Sequence, residues 1–145
     1  MTPAQVTQRI TDLRTERATL VDRRAAAVTQ MGQIEVSLGE LDSLIASLTE
    51  VHAELVVERS RIQGLSLDVS YPWRGDHHAE SVSACGAAEQ ECTSRVNSLD
   101  AAITRLHLKR GGLSVEWDTL SGQRTQHNTR IGLIDAEVTR LNNRR

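Results

Sequence analysis

The sequence predicts an all-α protein: a long antiparallel helical hairpin, that is, a two-helix coiled coil, forming a four-helix bundle with a partner or with itself. Three observations predict it. Apolar residues recur at alternating spacings of four and three through most of the chain. The repeat breaks once, near the midpoint, at Tyr71-Pro72-Trp73-Arg74-Gly75. The composition suits helix seams: of 145 residues none is Phe, one is Tyr and two are Trp, so what can be buried is Leu, Ile, Val and Ala. One domain over residues 1–145 is expected, with helix 1 over about 3–63, a tip over 64–76 and helix 2 over about 77–143.

Helix 1 opens on Thr2 as a cap, with Pro3 in the first turn, where its missing N–H costs nothing. From Val6 to Ile62 the heptad runs without a slip. One sub-register, which includes Leu13, Leu20, Ala27, Ile34, Leu41, Leu48 and Ile62, is wholly apolar; the other admits Arg17, Arg24, His52 and Arg59. Strict alternation over this length marks a coiled coil, because the apolar stripe of a globular helix drifts towards a period of 3.6.

The tip alternates Leu65, Leu67, Val69, Tyr71 and Trp73 with polar residues, the period of an extended, one-sided segment. Gly64 can close helix 1, and Pro72 biases Tyr71 away from helical angles. Gly75 can adopt angles closed to other residues, and Asp76 can cap helix 2. The same residues equally allow helix 1 to run to about Ser70, with a tighter turn from Pro72 to Gly75.

Helix 2 repeats the seam from Val82 through Cys85, Cys92, Val96, Ile103, Trp117, Ile131 and Val138 to Leu141. Folding about Pro72 predicts antiparallel partners whose numbers sum to about 144. That register sets Val6 against Val138, Leu13 against Ile131, Leu41 against Ile103, Leu48 against Val96, Ile62 against Val82, and small Ala27 against large Trp117. It also sets Gly32 against Gly112, a level expected to be soft or bent.

Two features point outward from the hairpin. Arg17, Arg24, Arg124 and His127 crowd neighbouring layers, where like charges repel. Either the guanidinium groups snorkel to water or a second protein supplies carboxylates. A secondary apolar set, Val21, Val28, Leu44, Val51 and Val115, leaves a face for another helical pair.

Other classes are disfavoured. A net charge of -2 offers no basic field for a phosphate backbone, so nucleic acid is not an expected partner. No stretch reaches the roughly 18 apolar residues of a membrane span, and no signal-peptide core is present. A cytoplasmic protein is expected, or one co-exported without a cleaved signal peptide. Cys85 and Cys92 stand about 10.5 Å apart along a helix, beyond the roughly 7 Å limit for a disulfide, and read as small seam residues. His77-His78 lack a convincing further ligand, so no metal or cofactor is expected. Arg74-Gly75-Asp76 spells an integrin-recognition tripeptide, but each residue has a turn or capping reason to be there. No phosphate loop, nucleophile elbow or paired-carboxylate pocket is visible, and a two-helix rod lacks the concavity that usually hosts catalysis; an enzyme is not expected.

Trp73-Arg74-Gly75, a Trp-x-Gly between two long helices, resembles the WXG family of type VII secretion proteins. Its length and very long helices look closer to the helical accessory proteins that pair with LXG-type toxins. The resemblance implies a hairpin that dimerises into a four-helix bundle with the N-terminal helical domain of such a toxin or with a second WXG-like protein. The chain would then act as chaperone and targeting subunit for a membrane-embedded secretion ATPase, with Trp73 and Gly75 in structural and docking roles. One departure stands out: the family's aromatic-x-x-x-acidic export signal is missing from IDAEVTRLNNRR after helix 2, so a partner would supply it. The competing expectation is a structural spacer or self-assembling rod, including a homodimer, in which Trp73 only stabilises the turn.

Overall fold

The structure, a computed structural model, describes residues 1–65 and 76–144. It is an all-α helical hairpin of two long helices, α1 (Pro3–Gly64) and α2 (Asp76–Asn142). α1 begins as its sequence directs. The Gln5 N–H donates to Thr2 Oγ1 at 3.2 Å while the Thr2 N–H donates to Gln5 Oε1 at 2.8 Å, a reciprocal capping box that satisfies donors left orphaned at a helix start. Gly64 is the last residue of α1, and the alternative end near Ser70 falls outside the described residues. The helix ends without a left-handed residue, since no described glycine has a positive φ.

The chain divides into two compact units. The terminal unit pairs Met1–Leu38 with Gly111–Arg145, and the central unit is Gly39–Arg110. In the terminal unit two clusters hold the helices together. Ile10, Leu13, Leu20, Ile131, Ile134 and Leu141 form the first, flanked by Val6, Val21 and Val138. Ala27, Met31, Ile34 and Leu120 form the second, flanked by Leu38, Leu113 and Trp117. Each fully buried aliphatic side chain contributes roughly 1.5–3 kcal/mol of transfer free energy, which offsets the ordering of helices that could not persist alone. The central unit is built on the same repeat but is more open: Leu41 and Val96 are buried, whereas Leu48, Ile62 and Ile103 are half-buried.

The helices are antiparallel, as expected, but the register differs from the one the seam suggests. In the terminal unit, Arg9 pairs with Glu137 and Glu16 with Arg130 along one flank, residue numbers that sum to 146. Along the other, Arg17 meets Asp135, Arg24 meets Asn128 and Glu35 meets Trp117, and the sum is 152. The seam layers between them fall at 151, with Leu20 level with Ile131 and Met31 level with Leu120, each pair sharing a cluster. In the central unit Asp42–Arg110, His52–Asp100 and Gln63–Glu89 keep the sum of 152.

This is one heptad away from folding about Pro72. Trp117 therefore lies level with Ile34 rather than Ala27, and Gly32 is not level with Gly112. Ile62 is level with Glu89, and Val82, expected in the seam, is 48% exposed. The physical reason is that a seven-residue repeat matches apolar layers equally well after a shift of seven. The flanking charges break the tie: one heptad back, Arg9 would face Arg130 and Glu16 would face Gln123, losing both ion pairs and adding a repulsion.

Candidate interaction surface

The tip motif Trp73-Arg74-Gly75 and its supporting Tyr71 and Pro72 lie outside the described residues, and Asp76 opens α2. What the helices show begins with the polar residues of the seam. Arg17, Arg24 and His52 share one sub-register of α1, and Arg110 and Trp117 one of α2, and each of these reaches sideways to the residue flanking the seam on the opposite helix. Arg17 Nε donates to Asp135 Oδ1 at 2.7 Å, and Arg24 Nη1 donates to Asn128 Oδ1 at 2.9 Å. Arg110 bonds the Asp42 carboxylate, and the Trp117 indole N–H donates to Glu35 Oε1 at 3.1 Å. His52 Nε2 sits 2.7 Å from Asp100 Oδ1, close in distance but off-line for a hydrogen bond. The crowded arginines thus find partners inside the hairpin. The Arg17–Asp135 pair stays solvent-exposed, at 44% and 53% of the two side chains.

Arg124 departs from this pattern, as do Arg59 and His127, which make no hydrogen bond or ion pair among the described residues. The same sideways rule places Arg124 level with Val28, which cannot accept a hydrogen bond, and Arg124 makes no hydrogen bond or ion pair among the described residues. Val28 itself is 47% exposed. Of the other residues expected to face a helical partner, Leu44, Val51 and Val115 are exposed, while Val21 is half-buried against the first cluster.

Two arginine–carboxylate pairs carry most of the perturbed electrostatics. The hydrogen bond from Arg130, with its charge, holds the Glu16 carboxyl below the usual carboxylate range, and Glu16 in turn raises Arg130. The Arg110 hydrogen bond does the same to Asp42, with reciprocal elevation of Arg110. Both Arg130 contacts are short, at 2.7 and 3.0 Å, the geometry of a bidentate fork.

Among the described residues the central unit lacks the equivalent closure. On the flank where Arg9–Glu137 and Glu16–Arg130 bridge the helices of the terminal unit, heptad-equivalent positions hold Leu44 with Ala102 and Val51 with Arg95. Arg95 turns along its own helix to Glu91 at 2.6 Å, beside a shallow groove lined by Val51, Leu55, Leu99, Ser94 and Ser98 together with Glu91 and Arg95 themselves. Beside it, Glu50, Glu54 and Glu58 follow one another at four-residue spacing; among the described residues only Glu58 is paired, with Arg61. Leu55, Leu99 and the serines were not singled out by the heptad because it assigns the leucines to the seam, and only the cross-helix geometry shows how much of that seam stays open.

Cys85 and Cys92 are free thiols on half-buried seam positions. Among the described residues no group of three His, Cys, Asp or Glu gathers as a metal site, and no helix is long and apolar enough to cross a membrane. No protein-family profile matches the chain, and no characterised protein or solved structure matches it.

Proposed function

We propose that the chain is a non-enzymatic helical hairpin that acts as chaperone and targeting partner for export of a toxin or effector by a type VII secretion system. The observation that carries the reading is Trp73-Arg74-Gly75 standing between two helices of 62 and 67 residues, the placement that gives a Trp-x-Gly its resemblance to the WXG proteins. The exposed Val28, Leu44, Val51 and Val115 support it by leaving apolar surface for a helical partner such as the N-terminal domain of an LXG-type toxin. Trp73 and Gly75 would engage the export machinery, and the secretion ATPase would be met through the partner's signal. The test is co-purification from the native cell, with mass spectrometry, alongside an export assay of Trp73→Ala. Recovery of a toxin or secretion component, with export lost and helicity kept in the variant, is the expected result; unchanged export would sink it.

A second reading, a structural spacer or self-assembling rod, draws support from the pairing of Arg17 and Arg24 within the chain, since a self-satisfied hairpin needs no partner there. Under it, Trp73→Ala changes thermal stability alone.

A further inference from the structure

Polar rungs cross the terminal unit on one side of the seam, and they are not alike. Arg17 ends on the Asp135 carboxylate, and the Trp117 indole ends on the Glu35 carboxylate. Two rungs between them lack a carboxylate. Arg24 meets the Asn128 side-chain oxygen at 2.9 Å, a neutral acceptor that leaves the guanidinium charge uncompensated. Arg124, level with Val28 on the same diagonal, meets no acceptor among the described residues. Neighbouring carboxylates do not make up the deficit. Glu35 holds the indole, and Asp118 stands beside that same rung, about 9 Å along α2 from Arg124. Asp22 falls at the heptad position opposite the seam, on the outward face of α1. The two cationic rungs are four residues apart, about 6 Å along the hairpin. Beside them Val28 is exposed, and the positions one turn to either side of it, Ala25 and Gly32, are small. Nothing lies within 4 Å of where a Cβ on Gly32 would stand, so the surface is open there.

Folding gives no account of these two arginines. Both hold seam positions, where leucine would bury apolar area and where a charge without a counter-charge only loses hydration. We infer that this flank of the terminal unit is a docking surface for an acidic amphipathic helix of another protein, one with two carboxylates a single turn apart and an apolar residue on the same face. Charge complementarity specifies the occupant. Carboxylates at i and i+4 of a helix stand about 6 Å apart along its axis, the spacing of the two cationic rungs. One helix laid along the flank therefore completes both rungs with charge-assisted hydrogen bonds of the kind Arg17 already makes to Asp135. Ala25 and Gly32 let its backbone come close, and its apolar residue covers Val28 and removes that surface from water. The inference gives the helical partner of the export reading a chemistry, but it does not rest on export. Trp73→Ala tests the one, and the arginine variants test the other.

Fluorescence anisotropy of a labelled, helix-stabilised peptide tests it. The peptide carries two Glu four residues apart with Leu on the same face, and a second peptide carries Lys in place of both Glu. Titrated with the full chain, the Glu peptide is expected to bind and the Lys peptide is not. Arg24→Gln with Arg124→Gln should weaken binding of the Glu peptide by about tenfold, and Val28→Ser should weaken it as well. Arg23→Gln with Arg140→Gln removes the same charge from exposed positions off this flank and should leave binding unchanged. Arg24→Glu with Arg124→Glu should exchange the preference, so that the Lys peptide binds instead. Thermal unfolding by circular dichroism separates docking from a structural role: replacing docking arginines loses binding with the melting temperature unchanged or raised. A Glu peptide that fails to bind the wild-type chain at high micromolar concentration overturns the inference. So does equal weakening by the Arg23 and Arg140 changes, or a lowered melting temperature with binding intact in the Arg24 and Arg124 variant.

Discussion

Removing the Leu13 side chain measures how unevenly stability is distributed along the hairpin. Leu13 is 0% exposed, in the cluster with Ile10, Leu20, Ile131, Ile134 and Leu141, flanked by Val138. Truncation to Ala deletes three methylene equivalents at about 0.8 kcal/mol each and leaves a cavity that long, straight helices close poorly; together these predict a loss of about 3 kcal/mol. Leu48 occupies the same heptad sub-register in the central unit but is only half-buried, so the same chemical change there should cost about half as much. Urea unfolding followed by far-ultraviolet circular dichroism gives both values, and native-state hydrogen exchange around each site separates local from global opening. If Leu48→Ala cost as much as Leu13→Ala, or if Leu13→Ala cost under about 1 kcal/mol, the two-cluster account of stability would be wrong.

Three further outcomes follow from the same contacts. Because Arg130 and Arg110 depress the folded-state pKa values of Glu16 and Asp42, these carboxylates contribute stability that is present above their unfolded pKa and is lost as the pH falls through the depressed folded value. Glu16→Gln with Asp42→Asn should therefore flatten the acid limb of a melting-temperature profile; an unaltered limb would assign acid sensitivity to other groups. An added Cβ at Gly32, Gly111 or Gly112 meets nothing within 4 Å, so Ala at each should stabilise its helix by up to about 1 kcal/mol in thermal unfolding. A loss of stability on Gly→Ala would mean that helix propensity is not the dominant effect at these positions. Reversing Glu16→Arg or Arg130→Glu singly should destabilise and the two together should recover, because 16 and 130 face each other only in the observed register. Absence of any recovery in the double variant would contradict that alignment.

Much of the architecture was legible from residue spacing. Thr2, Pro3 and Gln5 encode the start of α1 through a cap whose partners are close in sequence. Heptads on either side of the midpoint encode two helices, and their apolar members, Leu13, Leu41, Val96 and Ile131 among them, are buried. Val28, Leu44, Val51 and Val115 fall off the seam and are exposed, as their positions imply. Arg17 and Arg24 were harder to read, because their partners Asp135 and Asn128 lie more than 100 residues away and look like ordinary surface residues until the register is known.

The sequence by itself therefore determined the helices, the start of α1 and which stripe of each is buried, since these depend on local propensity and on a period that any window of the chain displays. Only the tertiary structure decided the alignment. Apolar layers seven residues apart are interchangeable to the hydrophobic effect, which has no direction, whereas Arg9 with Glu137 and Glu16 with Arg130 satisfy one alignment and not its neighbour. That choice moved Val82 out of the seam, gave Arg17 its carboxylate and left Arg124 facing Val28, and with it set which surfaces of the hairpin remain open.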